Sequence, residues 1–211
     1  MTRRHSFLVS LLLVGSMLWA APADPGLPQF GRDTVLVWKT INQEDNSSFV
    51  VRIAEFEPGR FIEWENSITQ GTVYMTPEAV ANARVFINSR LFEAGMDTKS
   101  KNSLILWLSR EVYQELKTKG KAKLSIDSVQ GLMVLEGADE LVVEVNKSPV
   151  KVPVIKVKDD RGQERWFMDR EDNPLMVKHI FRAYTQTLTS INTDRPNTLR
   201  WIKGKKLTSP R

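Results

Sequence analysis

The chain has 211 residues with 30 basic and 25 acidic side chains, a formal charge of +5, and no cysteine. Disulfides, thiol catalysis, cysteine metal sites and a lipid-modified cysteine tether are therefore excluded. So modest a positive charge makes no case for nucleic acid as a partner.

Residues 1–23 open with Arg3, Arg4 and His5, continue with an apolar run from Phe7 to Trp19, and close on Ala21-Pro22-Ala23. That is the layout of a secretory signal peptide, and the run is too short to cross a bilayer comfortably. Cleavage after Ala23 is expected, because a cut after Ala21 would set the ring of Pro22 against the scissile bond. The expected organisation is a signal peptide over 1–23, one antiparallel β-rich domain over 24–195 and a basic tail over 196–211. The mature chain is expected in the periplasm or secreted, with no transmembrane helix.

A Pro/Gly linker precedes Thr34 to Ile41, where β-branched and aromatic residues predict a strand. Phe49 to Ala54 and Phe61 to Trp64 predict a hairpin around Glu57-Pro58-Gly59-Arg60, and Gly71 to Met75 a fourth strand. Thr76-Pro77-Glu78 then reads as a helix start, combining a capping hydroxyl, a first-turn proline and a carboxylate at the positive dipole end. The spacing of Val80, Ala83, Ile87 and Leu91 predicts one long helix over 77–92, ended by Gly95 and packed on the sheet. Ser103 to Leu108 is apolar on both alternating faces and predicts a strand buried on two sides, followed by a short helix over 110–117 capped by Ser109.

Lys123 to Ile126 and Leu132 to Leu135 predict two more strands. Three further runs, Leu141 to Val145, Val150 to Val157 and Trp166 to Val177, are separated by turn clusters at Asn146 to Pro149, Asp159 to Gly162 and Asp169 to Asn173. An antiparallel meander follows from this spacing, and the β-branched run from Lys178 to Thr189 extends it. The expected fold is α+β, a strongly curved and mostly antiparallel sheet of about nine to eleven strands, half-barrel-like, with one long and one short helix.

Nucleotide-binding loops, the His-Glu-x-x-His zinc motif and the Gly-x-Ser-x-Gly elbow are all missing, so no cofactor, metal or enzymatic activity is expected. His179 is the one imidazole outside the leader and reads as a packed or rim histidine, with a catalytic or metal role as the lesser alternative. Asp169 and Asp172, with Glu171 and Asn173, crowd oxygens into one turn without the spacing of a calcium loop, and read as a solvated hairpin tip. Lysines at 117, 119, 121 and 123, and the tail around Trp201, could meet an anionic surface. Trp38, Trp64 and Trp107 are core aromatics by default; they are also the side chains expected beside an apolar ligand if the sheet's second face encloses a cavity.

Phe49-Val-Val-Arg-Ile-Ala-Glu-Phe, Phe61-Ile-Glu-Trp-Glu, the run from Leu108 to Leu116, and Trp166-Phe-Met-Asp through Asn173-Pro-Leu together resemble a family of uncharacterised exported bacterial proteins. The resemblance covers most of the chain, implies export and this fold class, and carries no functional residue. In architecture the layout is similar to the half-barrels that ferry lipoproteins across the periplasm. The expected function is non-enzymatic binding of an apolar ligand or an envelope protein partner. A purely structural envelope role is the alternative, and a carboxylate-based hydrolase comes behind it.

Overall fold

The computed structural model describes residues 27–42, 46–66, 69–88 and 97–193. Four antiparallel strands begin it: β1 (Val35–Ile41), β2 (Asn46–Glu55), β3 (Arg60–Glu65) and β4 (Gln70–Met75). Alternation decides their faces, with Val51 and Ile53 of β2 fully buried. The turn into β3 requires Gly59, because a Cβ there would lie 2.7 Å from the Met75 carbonyl oxygen.

The long helix expected over 77–92 is a correction. Among the described residues of that span only α1 (Pro77–Asn82) is helical, capped by Thr76, whose Oγ1 accepts the Ala79 N–H at 3.3 Å. The chain then extends as β5 (Val85–Phe86), held in parallel between β7 (Ser103–Leu104) and β8 (Lys121–Ile126). Val85 and Phe86 are stiff or aromatic side chains that favour strand, and two ladder neighbours outweigh the helical spacing of Val80 and Ala83. Ile87 is consequently off the helix and half-buried, and Gly95 lies outside the described residues. The longer helix is α2 (Arg110–Lys119), capped by Ser109, ended by Gly120 at φ 71° and burying Val112, Tyr113 and Leu116.

Two of the expected strands merge. Leu132 to Leu135 and Leu141 to Val145 belong to one strand, β9 (Val129–Val145), because a bulge at Glu136 absorbs one residue against β10 (Ser148–Asp159) without ending the pairing. Both turns flanking β9, Asp127-Ser128 and Asn146-Lys147, place two residues at positive φ, the twist that suits a two-residue hairpin. The run expected to continue from Lys178 to Thr189 is broken by a turn at Arg182-Ala183, giving β12 (Met176–Phe181) and β13 (Tyr184–Asn192) after β11 (Glu164–Met168). With the short parallel β6 (Asp97–Ser100) the sheet has 13 strands among the described residues, ordered β6-β4-β3-β2-β1-β13-β12-β11-β10-β9-β8-β5-β7.

That order fixes the curvature. Laid flat, 13 strands at about 4.8 Å spacing would part the two edges by about 58 Å. Yet edge strands β6 and β7 are joined by Lys101-Asn102 alone, and Ser100 Oγ donates to the Ser103 carbonyl at 2.7 Å. A link of that length spans about 11 Å at most, so the sheet must curl until its edges meet. A parallel contact of β13 with β9, pairing Ser190 with Glu144 and Ile191 with Val145, closes a further circuit of pairings through β9 to β13. Among the described residues no helix is long and apolar enough to cross a membrane.

Candidate functional site

Residues 104–108 leave β7 and run through the core. The two-sided burial expected of them is present, but the strand itself stops at Leu104: Leu106 adopts φ 64°, and every residue from Leu104 to Leu108 is buried. Their backbone is satisfied across the core, where Leu106 O accepts the Met176 N–H at 2.6 Å and Leu108 N–H donates to Pro174 O at 3.1 Å. Trp107 bridges to Leu175 and its indole N–H donates to Asn173 Oδ1 at 2.8 Å. Trp38 donates its indole N–H to Met176 O at 3.1 Å. One loop, Asn173 to Met176, therefore anchors both tryptophans.

Trp64 joins the same cluster through Phe49, whose ring lies 6.0 Å from Trp38 and 6.3 Å from Trp64. The three tryptophans are 0, 1 and 2 % exposed in the order Trp38, Trp64, Trp107. A void holding water would leave its lining accessible to a water-sized sphere, so these figures describe close packing. The structure thus brings all three into one buried core, together with residues 104–108.

His179 belongs to a buried polar network that the sequence did not disclose. Paired across strands with Arg165 and Gln186, it is also 5.7 Å edge-on from the Tyr184 ring. Arg165, fully buried, donates Nη1–H to Asp159 at 3.1 Å and Nη2–H to Gln163 Oε1 at 2.6 Å. The same oxygen lies 2.9 Å from His179 Nε2, and since it accepts from arginine it also accepts here, which fixes the proton of the neutral ring on Nε2. Burial, and then the positive charge of Arg165, push the imidazole down to about 3. Asp159 also accepts the backbone N–H groups of Arg161 and Gln163. Charge and donors are matched inside the cluster, with Arg165 Nε left over.

Asp169 and Asp172 are tied down by cations and a phenol. Asp169 Oδ1 accepts from Tyr113 Oη at 2.6 Å and Lys117 Nζ at 2.8 Å, which fastens the loop to α2, and burial together with that carboxylate raises the phenol well above its ordinary range. Asp172 pairs with Arg170 through its side chain and receives Arg60 Nη2–H on its carbonyl at 3.0 Å. Arg60 is itself buried, lies 3.7 Å over the Phe56 ring and donates to the Phe56 carbonyl. An open groove of about 610 Å³ along α2 is lined by Tyr113, Lys117, Lys119 and Glu171 and by Arg84, which bridges Glu111 and Glu115. Among the described residues no three His, Cys, Asp or Glu side chains are arranged to hold a metal ion. Of the alternating lysines, Lys117 and Lys119 are paired with Asp169 and Glu115, whereas Lys121 and Lys123 project from β8 into solvent. The basic tail lies outside the described residues.

One more surface stands apart, the ribbon formed by β9 and β10 beyond β8. Among the described residues, 136–143 of β9 pair with β10 on one side only, since β8 ends opposite Val134 and β13 meets β9 at Glu144. Pro149 and Pro153 of β10 stand opposite Glu144 and Glu140. Pro153 turns its carbonyl away from β9 to accept the Asp169 N–H, and Glu140 turns its N–H away from β10 to Asp139 Oδ1 at 2.8 Å. No model of a known protein family matches the chain, and no curated protein matches it in sequence.

Proposed function

We propose that the chain is a non-enzymatic binding protein of the bacterial envelope, exported by its N-terminal leader, that recognises a protein partner through its outer surface. The observation that carries this reading is the filled interior. Residues 104–108, Trp107 among them, are buried with Trp38 and Trp64 in one apolar core inside the curled sheet, which supports a reading without an internal cargo. The groups that sequence alone nominates for chemistry are consumed by internal contacts: His179 by Gln163, Asp169 by Tyr113 and Lys117, Asp172 by Arg170. Surface features remain, namely the ribbon of β9 and β10 and the charged rim of α2.

The test is crosslinking in the native cell, with the tagged full-length gene product under its own leader and a zero-length carboxylate–amine reagent. A discrete adduct with another envelope protein, mapped to surface lysines or carboxylates of this chain, is expected. Recovery of the exported protein uncrosslinked and carrying a stoichiometric lipid in native mass spectrometry would replace the partner reading with a carrier.

A further inference from the structure

We draw no further inference here: the strongest candidate, the edge of β9 over residues 136–143 between its contacts with β8 and β13, has the carboxylates of Glu136 and Glu140 already paired with Lys156 and Lys151, and nothing in the structure shows what covers it.

Discussion

The network around His179 makes a quantitative prediction about acid stability. In the folded chain the imidazole is held neutral, its pKa pushed from 6.5 down to about 3 by burial and by Arg165, whereas in the unfolded chain it titrates normally. Between these values the unfolded state binds the additional proton, so stability is intact above pH 6.5 and is lost as pH falls from 6.5 toward 3. Each pH unit in that window costs about 1.4 kcal/mol, so the step from pH 7.5 to pH 5 costs about 2 kcal/mol. For a chain of this size that is a fall in Tm of about 4–8 °C. The carboxylates with depressed values, Glu78, Glu115 and Glu136, lose their contribution only as pH falls below the ordinary carboxylate range, so the interval from 6.5 to 5 isolates the histidine. The assay is urea unfolding across that interval for the wild type and for His179→Gln, whose amide can still donate to Gln163. The variant should unfold with little pH dependence from 6.5 to 5. A flat wild-type profile, or an equal slope in the variant, would refute the argument.

Arg165→Met should destabilise by about 3 kcal/mol in urea unfolding at neutral pH, because buried Asp159 keeps only the more distant Arg161, 3.7 Å away, as countercharge; a loss under 1 kcal/mol would show that the Arg165 pair contributes little. Val80→Asp, on the buried side of α1, should lower the unfolding midpoint by about 3 kcal/mol or more, and Ile87→Asp by clearly less, since Ile87 is half-buried and outside the helix; equal midpoints would restore a helix through residue 87. The leader reading predicts Asp24 at the N-terminus of the exported form by intact mass, and a chain beginning at Met1 in the membrane fraction would contradict it.

Much of the sheet was legible because its determinants are local. Period-two alternation in β1 to β4, and turn residues at Asn146-Lys147, mark strands and hairpins without reference to the rest of the chain. The helix over 77–92 failed where local signals conflict: Val80, Ala83 and Ile87 fit a helical period, and Val85 and Phe86 fit a strand, so the decision lay with β7 and β8, far along the chain. Non-locality also hid the site. A tryptophan lining a cavity and one packed in a core have the same sequence signature, and what distinguishes them for Trp38 and Trp107 is a loop contact to residues 173–176. Arg165, Asp159 and Gln163 meet within one readable hairpin, but the contact with His179 required the register of β11 on β12.

The central claim is that the chain fills its own apolar interior, so that recognition falls to the surface. The measurement that tests it most directly is a titration of the exported protein with a fluorescent fatty-acid probe below its micelle threshold, following tryptophan emission and Tm together. The filled interior predicts no quenching of the buried tryptophans and no rise in Tm with probe concentration. A saturable rise in Tm accompanied by quenching, and weakened by Trp64→Ala, would show that the core around residues 104–108 opens to an apolar ligand, and would contradict the account.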